Sequence, residues 1–500
     1  MNRHQFRVVK TISQSRNLAA NGLRRSGLLT IVSVLGVALP TLLLARPALA
    51  EHRHLYVDAA ATQNGDGSRH RPFWRITNAV VRARELRQDD SDPEERIVIH
   101  VRPGTYVGSY DSSHLANNPR LELLPIIINV PDLNLEGGTE LDEDEGGLPT
   151  GTYPLESETL LTTDLPLTRG QVLLLIATTD DGMAGNGVSA TGFVIDAQAP
   201  LPAGVPGFQI YVDRVSDFSI RRNLLRQGSG FGTRLASGAF ERNLSIANNP
   251  SPPPGGLGST GMFITGGSVA RPAAVTLRRN RSRQNGGGTS VDAVANLLQL
   301  DLGANTLRLE PLQMTYDRSD PKDQQNIPDK LTVLIEGNDL SDNTFFGLRC
   351  GFYPPFPYTT VDTTQPITGT LRVAVRNNRL HHNGQYGLVV DPFSSSRSNA
   401  RQFTASFEGT VENNSLIGNG RNAFLISFTN YGASIGYNPR QDWKYMQESM
   451  FEVADFDGEM EGFDYDHPLN DPFDGSPVVG NVLLVNGEVQ PNGIRITPLP

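Results

Sequence analysis

The chain has one cysteine in 500 residues, Cys350. A disulfide framework is excluded, so backbone pairing and core packing must hold the fold. Lysine is nearly as scarce. Beyond residue 50 only Lys322, Lys330 and Lys444 occur, so chemistry that needs a cation falls mostly to arginine. The first 50 residues contain no acid at all. They carry seven basic residues (Arg3, Arg7, Lys10, Arg16, Arg24, Arg25, Arg46), an apolar run from Leu28 to Ala45, and the small-x-small triplet Ala48-Leu49-Ala50. That order is expected of an export signal with a long basic head, removed after Ala50. Pro40, Arg46 and Pro47 interrupt the run, which argues against a retained membrane anchor. The expected mature chain begins at Glu51, has no membrane span, and is secreted, periplasmic or held at the cell surface.

Without those seven, the 43 basic residues fall to 36 against 53 acidic, a net charge of −17. Such a balance argues against nucleic acid or an anionic membrane as the main partner. The chain has 50 glycines and 34 prolines, with turn dipeptides throughout, as an all-β chain rich in turns requires.

Six segments repeat one pattern around an asparagine: Asn223, Asn243, Asn280, Asn338, Asn378 and Asn414. Five carry a second asparagine five residues on (Asn248, Asn285, Asn343, Asn383, Asn419), and the first has Gly228 there. Three residues before the Asn every copy is apolar: Ile220, Phe240, Leu277, Ile335, Val375, Val411. Phe218, Val275, Val333 and Val373 precede these by two, the period of a strand with one buried face. Two residues after the Asn, four copies have leucine: Leu225, Leu340, Leu380 and Leu416. A second apolar strand follows the second Asn. Asn suits the bend, because it tolerates left-handed backbone and bonds its own chain. Stacked Asn side chains can also bond along a column.

Strand, bend, strand at intervals of 20, 37, 58, 40 and 36 residues predicts a right-handed parallel β-helix. Loops of unequal length enter at one corner, and the longest interval leaves room for an extra coil. A β-sandwich or propeller is the alternative, but neither needs a bend Asn in register through six copies. Two residues before the Asn stand Arg221, Glu241, Arg278, Glu336, Arg376 and Glu412, alternating in sign. Consecutive coils would stack these about 4.8 Å apart as a surface ion-pair ladder.

The segment LYVDAAATQNGDGSRHRPFWRITNAVVRA and the later IHVRPGTYVG resemble the N-terminal signature of bacterial pectin-lyase-like β-helix proteins, in a family without assigned function. The matching residues are Tyr56-Val57-Asp58, Gly65-Asp66-Gly67-Ser68, Pro72-Phe73, Ile76-Thr77, Ala79 and Pro103-Gly104-Thr105-Tyr106. Arg75 stands where that family usually has Thr. The resemblance implies the fold rather than an activity, because this fold hosts many functions. Ile76, Ala79, Val80, Ala83 and Leu86 fall at helical spacing, so an amphipathic helix is expected to cap the first coil. The expected organisation is a signal at 1–50, a cap and first strands at 51–110, coils with loop insertions at 111–435, and an acidic cap or tail at 436–500.

His381 and His382 occupy variable bend positions where the fold does not demand histidine. Histidine there can act as general acid or base. Column alignment puts His382 beside Asp342 of the preceding coil, and Arg349 and Asp391 follow on the next strands. His382, Asp342, Arg349 and Asp391 are therefore the candidate catalytic set. A solvated turn is the competing reading for the histidines.

The family's pectate-lyase-like enzymes use calcium-holding acids with an Arg or Lys base. Its polygalacturonase-like enzymes use three aspartates with Gly-His-Gly and Arg-x-Lys, and neither of those two motifs occurs here. Asp180-Asp181 resembles a hydrolytic pair but sits in a turn-like stretch. Asp455, Asp457 and Glu459 resemble the start of a Ca²⁺ loop, with a solvated acidic tail as the alternative. Tyr353, Phe356 and Tyr358, held among three prolines, are candidate sugar-stacking residues together with His381. The functional expectation is an exported protein that binds polysaccharide or processes it as a lyase or hydrolase. A non-catalytic structural or adhesive solenoid is the alternative.

Overall fold

The computed structural model describes residues 53–89, 95–167, 171–179, 184–198, 208–247, 260–268, 272–292, 328–351, 367–391, 403–412, 414–420 and 422–426, with short strands elsewhere up to residue 489. The expected signal at 1–50 lies outside this set, as do most of 436–500, the aromatic loop 352–366, Asp180-Asp181 and the Asp455–Glu459 motif.

The chain winds into a right-handed parallel β-helix with three long sheets. Among the described residues, sheet A has 14 strands and collects the strand before each repeat Asn. Sheet B has eight and holds the short segment after it, while sheet C has ten and holds the strand after the second bend. Pairing between coils keeps the repeat in register: Ile220 faces Phe240, Phe240 faces Leu277, Leu277 faces Ile335, and Ile335 faces Val375. These residues and Leu225, Leu340, Leu380 and Leu416 are buried in one core running along the axis. Ser245 and Ser282 replace leucine in that column, and their hydroxyls bond the Gly261 and Gly288 carbonyls.

The asparagines form two buried ladders. Asn223 Nδ2 donates to Asn243 Oδ1, and the relay continues through Asn280, Asn338 and Asn378 to Asn414 at 2.9–3.2 Å. Each Oδ1 also accepts the backbone N–H of the preceding Asn, and from Asn243 onward each Nδ2 donates to a carbonyl of the preceding coil. A second ladder joins Asn343, Asn383 and Asn419 in the same way. In the copy with Gly228, Gln209 fills the position, and a Cβ on Gly228 would meet its Cδ at 2.4 Å.

Two expectations change. The left-handed residue at the first bend is not the Asn but the residue before it: Arg222, Arg242, Arg279, Gly337 and Asn377 have φ of +53° to +64°. The Asn is kept for its side-chain amide, which satisfies backbone groups that the bend removes from the sheet. The 58-residue interval holds no extra coil, because Asn280 bonds Asn338 directly; part of it is an antiparallel pair, Gln299–Asp301 with Arg308–Glu310. The charge column is in register throughout, with Arg221, Glu241, Arg278, Glu336, Arg376 and Glu412 on successive strands of sheet A. Arg278 closes on Glu336 at 3.0 Å.

Helix α1 (Ile76–Asp89) covers the first coil with Ile76, Ala79, Val80 and Ala83. Its start is held by Glu122, which is fully buried and accepts from the Ile76 N–H, the Thr77 N–H at 3.0 Å and the Thr77 hydroxyl at 2.6 Å. This carboxylate supplies an N-terminal cap where Arg75 precedes the helix.

Replacing Asn338 in the middle of the ladder leaves several buried donors and acceptors unpaired. Asn338→Ala should lower unfolding free energy by about 3–5 kcal/mol; a denaturant midpoint within error of wild type would refute the ladder's role. Burial pushes the Glu122 carboxyl pKa up against the opposing Thr77 and Ile76 hydrogen bonds. The folded protein therefore takes up that proton more readily than the unfolded chain. Its contribution is most favourable below the unfolded value of about 4.3 and weakens as pH rises through the folded one. Glu122→Gln should flatten this decline in a pH series of denaturant midpoints, whereas an unchanged slope would place the titration elsewhere.

Candidate functional site

Sheet B buries its central position, so the residues one and three after each repeat Asn face outward. Along successive coils these are Leu224/Arg226, Leu244/Ile246, Arg281/Arg283, Asp339/Ser341, Arg379/His381 and Ser415/Ile417. The first three of these coils lie under a strap, residues 137–158. Its Leu141 packs with Val194, Leu224 and Leu244. Its acidic tip meets a run of arginines. Glu143 pairs with Arg222 at 3.4 Å and Arg242 at 3.2 Å, and Asp144 pairs with Arg281 at 2.6 Å. Arg281 Nη1 also donates to the Pro149 carbonyl at 2.8 Å. Arg281 and Arg283 hold Asp339 on the next coil at 3.0 and 2.7 Å. Burial opposes ionisation of Asp339, but the Ser341 hydroxyl and the two arginines outweigh it and keep its pKa below the usual carboxylate range.

Beyond the strap's tip the outward face is open at Arg379, Asp342 and His382, and Ile417 is 40% exposed. His381 Nε2 lies 2.7 Å from Ser415 Oγ, and the His381 N–H donates to Ser341 Oγ at 3.1 Å. Burial and the adjacent Arg379 push the His381 pKa below its ordinary value, with Asp339 and Asp342 opposing. The ring is therefore mostly neutral at pH 7. His382 sits at the second bend with φ +51°, and Asp342 holds the same bend one coil earlier with φ +57°. The His382 ring packs over Gly418, where a Cβ would lie 2.7 Å from Cδ2. The structure thus brings His381, His382 and Asp342 to one corner, with Arg379, Asp339 and Ser415 beside them.

Arg349 and Asp391 lie elsewhere, on sheet C. Arg349 faces Val389, and Gly351 faces Asp391. Arg349 is three residues into its strand, roughly 10 Å along from the end near the corner, and is buried. The four proposed catalytic residues therefore divide between two features. Arg349 has company that sequence reasoning missed. In the same outward column stand Tyr211, Gly232, Phe263, Ser290 and Arg349. Phe208 packs on Tyr211 and Phe263 with centroids 5.1 and 6.4 Å apart. Asp213, fully buried, binds Arg234 at 2.6 Å and Arg214 at 3.0 Å. Ser290 Oγ is buried without a hydrogen-bond partner. The signal was present in VLLLIA, FQIYVD and TGMFIT, which do not alternate and are buried at every position. Such runs mean a strand covered on both faces.

Among the described residues no group of three or more His, Cys, Asp or Glu side chains is arranged to hold a metal ion, and no helix is long and apolar enough to cross a membrane.

No protein-family model and no curated protein matches the chain. Among solved structures it resembles a mannuronan C-5 epimerase A-module of Azotobacter vinelandii, at 14% identity over 82% of this chain and 89% of that one, with a TM-score of 0.39. A pectate lyase matches at 11% identity over 83% and 79%, TM-score 0.33. An exopolygalacturonase of Thermotoga maritima matches at 10% over 83% and 89%, TM-score 0.36. At these values the likeness carries no inference about activity. The three parallel sheets themselves make the chain a right-handed parallel β-helix.

Proposed function

We propose that the protein is exported and binds a polysaccharide chain across the corner between sheets B and C, with His381 and His382 as the groups able to move protons there. The observation that carries this reading is the polar corner beyond the strap's tip, where Arg379, Asp342 and His382 are exposed beside a neutral His381. Coils repeat about every 4.8 Å, so the corner offers donors and acceptors at regular intervals to a polymer with regularly spaced hydroxyls. Donors beside a neutral imidazole favour an uncharged glycan, and the net acidity of the chain opposes a strongly anionic one. Export rests on the residue order of 1–50.

As chemistry, a neutral His381 can accept a proton from a hydroxyl, and Ser415 Oγ is the hydroxyl it already holds. Calcium held by Asp455, Asp457 and Glu459 belongs to the same proposal and is tested by adding and chelating the ion. The non-catalytic reading keeps support from the charge column of sheet A, where Arg and Glu alternate on successive strands and Arg278 pairs with Glu336, a face suited to stiffness rather than to gripping a charged polymer.

The test incubates the purified chain with neutral and acidic polysaccharides, with and without Ca²⁺, following reducing ends and the absorbance of unsaturated products. Binding is read in parallel by gel retardation. The expected result is retardation by a neutral glycan that weakens at least tenfold in Arg379→Ala and His382→Ala. If new ends form, their rate should fall at least a hundredfold in His381→Ala. Retardation unchanged in all three variants would move the site off this corner.

A further inference from the structure

The first three strands of sheet A place a second histidine pair far along the helix from the corner. Arg53–Val57, Ile97–Val101 and Leu133–Glu136 pair in parallel, with Tyr56 facing His100 and His100 facing Glu136. Leu55, Val57, Ile99, Val101, Leu133 and Leu135 point into the core, so His54, Tyr56, His100 and Glu136 stand on the outer face. His100 Nδ1 lies 3.2 Å from Glu136 Oε2. His100 Nε2 lies 2.9 Å from His54 Nδ1. Tyr56 stacks on His100 with centroids 5.0 Å apart and an interplanar angle of 26°, which fixes the ring's plane.

Placed 3.2 Å from Nδ1, the Glu136 carboxylate favours hydrogen on that nitrogen, which leaves the Nε2 lone pair toward His54. In the metal-free pair a proton on His54 Nδ1 fills the gap. A cation that replaces that proton meets two imidazole nitrogens already converging. Two nitrogens at about 2.05 Å from one metal are about 2.9 Å apart when cis at 90°, and about 3.3 Å apart in a tetrahedron. The observed 2.9 Å is the length of an N–H···N hydrogen bond and is close to the cis separation, so a cation can take the proton's place with little movement of the rings. A carboxylate on the far nitrogen of a ligating histidine is the partner that orients such rings and raises their basicity.

We propose that His54 Nδ1 and His100 Nε2 form a two-imidazole site for a divalent transition-metal cation of the Cu²⁺ or Ni²⁺ type, with Glu136 fixing the His100 tautomer. The described residues offer no third protein ligand, so water completes the coordination on the solvent side. Copper should bind more tightly than nickel or zinc at these nitrogens.

The experiment titrates the untagged protein with Cu²⁺ by calorimetry and records the electron paramagnetic resonance spectrum. One site with nitrogen superhyperfine structure from two imidazoles is expected. His54→Ala and His100→Ala should each weaken binding at least tenfold and remove that two-nitrogen pattern. Glu136→Gln should weaken binding about tenfold, and His70→Ala should leave it unchanged. Each variant is first matched to wild type by circular dichroism. Affinity and spectrum unchanged in both histidine variants, or lost only in His52→Ala, would overturn the proposal.

Discussion

A parallel coil must turn twice in quick succession to close its cross-section, and each turn takes backbone groups out of the sheets. Here those groups are buried, so they need partners of their own. The asparagine ladders provide them. An amide side chain has both donor and acceptor, so one residue can serve its own coil, the coil before and the coil after. The whole column is satisfied only if every member is present and in register. That couples the coils, and it makes the bend rather than the core column the least replaceable part of the repeat. A leucine can give way to Ser245 or Ser282 because a backbone carbonyl is near. No amide-bearing position in the first ladder gives way at all.

Much of this was legible. Period-2 burial and the recurring Asn predicted sheet A, the first bend and the core, because both follow from local geometry that every coil repeats. The left-handed residue was misplaced by one position, since Asn is the residue type that most often adopts such backbone, whereas here Arg222, Arg242 and Arg279 do so. Their strain is held by the ladder on either side. The strap was not legible. Asp144 reaches Arg281 across 137 positions, and nothing in LDEDEGG states which face of the helix it lies against. The capping role of Glu122 was hidden for the same reason, with 46 positions separating it from Ile76.

The candidate site divides along the same line. His381, His382 and Asp342 came together because column alignment gives neighbours on adjacent coils directly. Arg349 and Asp391 did not join them, because offset along a coil does not say which face a residue occupies once a corner intervenes. What the structure adds is an edge: the strap ends between Arg281 and Asp339, and the polar corner begins there. The strap's acids neutralise the arginines beneath it and leave Arg379 as the exposed cation next to the histidines.

The central claim is that the Asn ladder is the most persistent part of the molecule. Native-state hydrogen exchange, read by mass spectrometry on peptides spanning Asn243, Asn280, Asn338 and Asn378, tests it directly. The account predicts that these backbone N–H groups exchange only with global opening, as slowly as any in the chain and with the same denaturant dependence. Exchange at the four bends by local opening, ahead of the flanking sheet A strands, would contradict it.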